Sequence, residues 1–282
     1  MAKLIEMLQH VTQASSGGMG FFGRSQGPMR TARPAAVFVA GGKGDLAALI
    51  AAAEAGADGV IVSGWSVRTG TLAGLAEALR PHEGIWGVEL EGESVAEGLN
   101  AARDQGAAFA VLGQNLPAGA LFEELDRFDR VLAVEPPRDD LALLALRAVN
   151  LLPAQAVLVQ VSFTPSGLSK LNIADFTRLQ LFWESLRFPS LVTLRGAPDA
   201  AAVRLLIQLG ADGLVLSATG ATATTLSEQV KALAGELERT PARRERDSGA
   251  LLTGMFGAQV TPAEQPGAPT RRRPGQPEPD HE

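Results

Sequence analysis

IQLGADGLVLSA (207–218) closes an Ala/Leu-rich segment on glycine and enters a short run of Val and Leu, and the phrase recurs. AEAGADGVIVSG (53–64) and ARDQGAAFAVLG (102–113) share its plan. Glycine suits the left-handed position that terminates a helix, so each phrase reads as a helix end followed by a buried strand. Working outward, apolar runs fall at Ala35–Ala40, Gly59–Ser63, Ile85–Glu91, Ala107–Leu112, Arg130–Val134, Ala156–Ser162, Ser190–Arg195 and Asp212–Ser217. Helical text separates them. Strands that alternate with helices pair in parallel through crossovers. About eight such units over roughly 200 residues match the strand number and length of an α/β fold, the closed (β/α)8 TIM barrel.

The barrel is expected over residues 35–240, with an extension at 1–34 and a tail at 241–282. Lys3–Val11 sets Leu4, Leu8 and Val11 on one helical face, which predicts a short amphipathic helix. Ser15–Pro34 is rich in Gly, Ser, Arg and Pro and reads as a flexible connector. The tail, rich in Pro, Arg and Glu, cannot bury enough apolar surface to offset the entropy of ordering, so disorder is expected there.

Charge and composition exclude several classes. The net charge is −6, and the acidic excess lies in the repeat region: residues 1–34 carry Lys3, Arg24, Arg30 and Arg33 against Glu6, and from Pro241 onward six arginines balance six acids. An acidic body argues against nucleic-acid binding by the barrel. The chain has no cysteine, which excludes disulfides, thiolate metal sites and a Cys nucleophile. Met1–Gln13 has no long apolar run, so neither a signal peptide nor a membrane span is supported, and a cytoplasmic protein is expected. His10, His82 and His281 are scattered and none falls at a strand end, so no metal site and no Ser–His–Asp triad is expected.

Strand periodicity selects the site. Val88 and Leu90 share one face of their strand, Val192 and Leu194 of theirs, and Val157, Val159 and Val161 of theirs. These apolar sets must cover the helices, so the alternate residues point into the barrel. A polar ring follows at the strand ends: Ser63, Glu91, Gln114, Glu135, Ser162, Arg195 and Ser217. Glu91 or Glu135 is the expected acid/base, and Arg195 the expected anchor for a carboxylate or phosphate. The competing reading is a structural ion pair of Arg195 with Glu89, Glu91 or both, since charges inside a barrel are costly unless paired. Lys43, in GGKGD after the first strand, can present an ammonium beside backbone N–H groups to an anion. An ordinary tight turn with an exposed lysine is the preferred reading there. Lys170, in the long loop after the sixth strand, is read as a solvated lysine. SATGATATTLSEQV (217–230) puts small residues and hydroxyls before a helix N-terminus, where they hold a phosphate or merely cap the helix through Thr222 or Thr224.

The segment LVTLRGAPDAAAVRLLIQLGADGLVLSATG (191–220) resembles the strand–helix–strand passage of flavin- and phosphate-binding aldolase-type barrels. In the alpha-hydroxy-acid oxidase family a similar phrase carries Lys–Gly at the first strand end and Asn–His–Gly at the second. Here those positions read Arg195–Gly196 and Ala218–Thr219–Gly220, so the catalytic histidine's place holds Thr219 and the flavin-contacting lysine's place holds Arg195. The resemblance implies the superfamily, with Gly196, Thr219, Gly220 and Thr222 near a phosphate or flavin.

Three functions remain open. The leading one is a barrel that binds or transforms a small phosphorylated or carboxylated metabolite, as a lyase or isomerase if it is an enzyme. The second is a flavin (FMN)-dependent oxidoreductase. The third is a non-catalytic interaction scaffold. GMGFFG (18–23) and the segment 251–257, which ends in GMFG, repeat a Met/Phe cluster on the two arms. Chance similarity in Gly-rich text is the preferred reading; the alternative is that one or both are docking segments for a protein partner or for self-association.

Overall fold

Eight parallel strands close on one another in chain order, with the last beside the first. The computed structural model describes residues 3–13, 33–65, 73–90, 95–122, 128–136, 146–161, 165–168, 170–194, 196 and 198–241. The strands are β1 (Ala36–Gly42), β2 (Gly59–Trp65), β3 (Ile85–Leu90), β4 (Phe109–Leu112), β5 (Asp129–Val134), β6 (Ala156–Gln160), β7 (Ser190–Leu194) and β8 (Gly213–Ser217). The helices are α1 (Lys3–Gln13), α2 (Leu46–Glu54), α3 (Ala73–Leu79), α4 (Val95–Asp104), α5 (146–149), α6 (Pro165–Leu168), α7 (Ile173–Ser185), α8 (Ala200–Leu209) and α9 (Ala223–Arg239). This is the TIM barrel expected from the repeat. The chain divides into two units, Met1–Arg243 and Arg244–Glu282, and the second lies wholly outside the described residues. The segments 18–23 and 251–257 lie outside them as well.

The recurring phrase does two jobs at the N-terminal end of the barrel. Gly56, Gly106 and Gly210 stop their helices in the left-handed region, at φ 98°, 91° and 113°. The aspartates of the two GADG copies then latch the neighbouring strand. Asp58 Oδ2 accepts the Val37 N–H at 2.7 Å, and Asp212 Oδ2 accepts the Ser190 N–H at 2.8 Å. Both bonds satisfy strand-start amides that the ladder leaves open.

Side chains divide by strand parity. Val88, Leu90, Val157, Val159, Val192 and Leu194 pack in one buried layer with the inner faces of α2, α4, α8 and α9. Phe38, Ile61, Phe109, Val131, Leu158, Leu191 and Val215 form a second layer inside the barrel. Phe38 and Phe109 meet edge to face, ring centroids 6.3 Å apart at 80°. Two glycines make that possible: a Cβ at Gly59 would strike the Phe38 ring, and one at Gly87 the Phe109 ring.

The N-terminal helix belongs to this interior. Leu4, Met7, Leu8 and Val11 bury against the second layer, and α1 lies against β1 and β3. The amphipathic face anticipated in the sequence therefore closes the N-terminal end of the barrel. Two buried polar contacts fix it. Arg33 donates to both carboxylate oxygens of Asp58, at 2.6 and 2.8 Å, with the two residues 8% and 1% exposed. The Arg33 backbone N–H also reaches the Val11 carbonyl, joining the returning chain to the end of α1.

Removing one partner of such a pair strands the other charge in the interior. Asp58→Ala is expected to cost about 3–5 kcal/mol in a urea unfolding titration, against about 2–5 kcal/mol for Leu8→Ala. A cost for Asp58→Ala below about 1 kcal/mol would show that the clamp contributes little.

Asp129 supplies the second fixing point, accepting the Leu4 N–H at 2.8 Å. Burial pushes its carboxyl above the usual aspartate value of about 3.9, opposed by the Leu4 hydrogen bond and Lys3 and assisted by Glu6. With the folded pKa above the unfolded one, the folded state holds the proton longer. Stability from this group therefore falls as pH rises through the interval between the two values, and stays lower above it. Asp129→Asn keeps an acceptor for Leu4 and should flatten this fall. Melting temperatures between about pH 3.5 and 7 check it, and parallel curves for the two proteins would refute it.

Candidate functional site

The C-terminal ends of β7 and β8 and the start of α9 build one concavity. After β8 the chain turns at once: Ala218 donates to the Ala40 carbonyl at 2.7 Å, and Ala221 donates back to Ala218 at 2.9 Å. Gly220 closes that turn at φ 73°, and Gly196 past β7 stands at φ 93°, both values that a side chain would resist. Thr222 is the N-cap of α9; its hydroxyl accepts the Thr225 N–H at 3.2 Å and lies 2.9 Å from the Thr225 hydroxyl. The result is a cavity of about 630 Å³ lined by Gly196, Ser217, Thr219, Gly220, Ala221, Thr225 and Gln229. It opens over the first turn of a 17-residue helix. The amides of Ala223 and Thr224 in that turn have no carbonyl partner within the helix, and the helix dipole adds partial positive charge there.

Four of the sequence candidates, Gly196, Ser217, Thr219 and Gly220, thus share one cavity. Thr222 sits beside it with its hydroxyl engaged in capping, so the capping role read from the sequence is the one its geometry displays. Thr225 and Gln229 were missed, although their spacing of four puts them on one helix face with Ala221 just before it. Lys43 is exposed in a 3-10 turn, Lys43–Asp45, where Asp45 Oδ2 accepts the Gly42 N–H at 3.0 Å. That is a local tight turn, and Lys43 is not among the residues lining the cavity. Lys170 is exposed.

The remaining candidates lie elsewhere. Glu135, exposed just past β5, and Gln114, exposed past β4, line a second cavity of about 610 Å³. In a closed ring of eight strands β4 is diametrically opposite β8, so the supposed single ring has two separate concavities. Ser63 and Glu89 are half-buried on β2 and β3. Glu91, Ser162 and Arg195 lie outside the described residues. Among the described residues no three His, Asp or Glu side chains come together as metal ligands would. Nor is any helix there long and apolar enough to cross a membrane.

The class these features define is the closed (β/α)8 TIM barrel. The chain is similar to a thiamine phosphate pyrophosphorylase from Pyrococcus furiosus, at 14% identity and TM-score 0.56 over 73% of this chain and 97% of that one. It is also similar to a mutant tryptophan synthase alpha-subunit from Pyrococcus furiosus, at 16% identity and TM-score 0.55 over 72% of this chain and 98% of that one. A third likeness is to orotidine 5'-phosphate decarboxylase from Pyrococcus horikoshii, at 10% identity and TM-score 0.50 over 71% and 99%. At these identities the likeness establishes the fold. No protein-family model matches the chain, and no curated protein sequence does.

The capping geometry carries a prediction of its own. Thr222→Ala should destabilise the barrel by about 1 kcal/mol while Thr224→Ala changes it by less than half as much, measured by denaturant unfolding. Equal costs would mean that Thr222 does not carry the cap.

Proposed function

We propose that the protein binds the phosphate group of a small metabolite in the concavity between Gly196, Thr219, Gly220 and the first turn of α9. The observation that supports this most is the pairing of two positive-φ glycines with the N-terminus of a long helix around one cavity. Glycine lets a bulky anion approach the backbone, and first-turn amides with the helix dipole stabilise its charge. Barrels of this kind commonly hold phosphate in the loops after their seventh and eighth strands. The thiamine phosphate pyrophosphorylase and orotidine 5'-phosphate decarboxylase named above carry a phosphate compound in their names, which agrees with the reading.

Catalysis forms the second part of the proposal. Glu91 or Glu135 transfers a proton in a lyase or isomerase reaction, and Arg195 anchors an acidic group of the substrate. Glu91 and Arg195 follow the last residues of β3 and β7 in sequence and are carried on that ground.

Phosphate binding is testable without knowing the substrate. Titration of inorganic phosphate, followed by amide NMR, should give saturable shifts at Gly220, Ala221 and Thr225 in the wild type. Thr219→Glu, a change at an exposed position, should weaken that binding at least about tenfold by setting a carboxylate against the anion. Absent or non-saturable shifts at these amides would overturn the proposal.

A further inference from the structure

The second cavity has a different chemistry from the first. It lies at the C-terminal ends of β4 and β5, walled by Leu112, Leu132 and Val134 on the sheet side and by Leu116, Leu121 and Leu146 from the connections. Leu112, Leu132 and Val134 belong to the helix-facing layer. Elsewhere that layer is covered by helices such as α2, α4 and α8, of 9, 10 and 10 residues. Between β4 and β5 the described chain offers only a 3-10 turn of four residues, Ala118–Leu121. A cavity of about 610 Å³ lies between this turn, the strand ends and α5. That size falls within the range of small-molecule sites, which are mostly apolar with a few polar groups fixing orientation. Here the polar side chains among the described lining residues are Gln114 and Glu135, and Glu135 is the sole ionisable one.

We infer that this cavity is a binding site for a small amphiphile, with an apolar body against the leucines and an ammonium or similar cationic head at Glu135. The charge of the head follows from the lining. A carboxylate at the mouth of an apolar pocket attracts a cation and repels an anion. The site is independent of the phosphate site across the barrel, and it leaves Glu91 as the proton-transfer group of the proposed reaction.

The full chain can be tested with three eight-carbon probes of the same body, octylamine, octanol and octanoate, each displacing the neutral dye Nile red. The wild type should bind Nile red saturably, and octylamine should displace it at a concentration at least tenfold below octanoate, with octanol between. Glu135→Gln should keep dye binding and abolish the preference for the amine. Leu116→Trp should fill the cavity and remove dye binding. Ala118→Trp, at an exposed position on the same wall, serves as the second filling variant should Leu116→Trp fold poorly. Thr219→Glu should leave every one of these readings unchanged, which separates this site from the phosphate site. Failure of the wild type to bind the dye saturably, or dye binding indifferent to both filling variants, overturns the site. Displacement by octanoate as effective as by octylamine overturns the cationic ligand.

Discussion

The structure depends on how the inside of an eight-stranded barrel is filled. Strands tilted into a closed ring leave a central space that must hold side chains at crystal-like density, because each void forfeits contacts on both sides. Here the space is occupied by two crossed phenylalanines, Phe38 and Phe109, each given room by glycine on an adjacent strand. Below them Leu4, Met7, Leu8 and Val11 of α1 complete the packing. The interior thus becomes a solid column. Its upper end carries the half-buried Glu89, Gln160, Thr193 and Ser217, the last two on the strands that lead into the β7–β8 cavity.

The lower end had to be closed at a cost in polar burial. Placing α1 across the strand starts buries Asp58, Asp129 and Arg33, groups that are expensive without partners. Each has one: Arg33 and Asp58 hold each other, Asp58 also takes a strand amide, and Asp129 takes the first-turn amide of Leu4. The Leu4 amide at the start of α1 offsets part of the cost of burying Asp129 without cancelling it. Stability therefore resides at the end of the barrel away from the concavities. The rim is free to use left-handed glycines and exposed threonines.

How much of this is legible in sequence follows from the range of each interaction. Helix-ending glycines and strand parity act over a few residues, so Gly56, Gly106 and Gly210 and the facing of Val88, Val159 and Val192 can be read directly. The apolar face of α1 is likewise local, yet its docking is not: nothing in Leu4 or Leu8 points to Phe38 or Val131. The turn at Thr219–Thr222 is visible because glycine and a capping threonine are short-range signals. The division of the rim into two cavities is invisible, since strand-end position says that Glu135 and Thr219 share a face and not how far around the ring they stand. What separates them is closure, and closure comes from long-range pairing.

The β4–β5 cavity illustrates the same point in reverse. In sequence the β4–β5 connection, 113–128, is as long as the β1–β2 connection, 43–58, so length does not set it apart. Its consequence appears only once Leu112, Leu132 and Val134 are seen to belong to a layer that requires cover. Leu112, Leu132 and Val134 thus serve both as buried core and as cavity wall. Glu135, which in sequence resembles any acid at a strand end, gains a distinct setting because the described residues that line the cavity with it are almost all apolar.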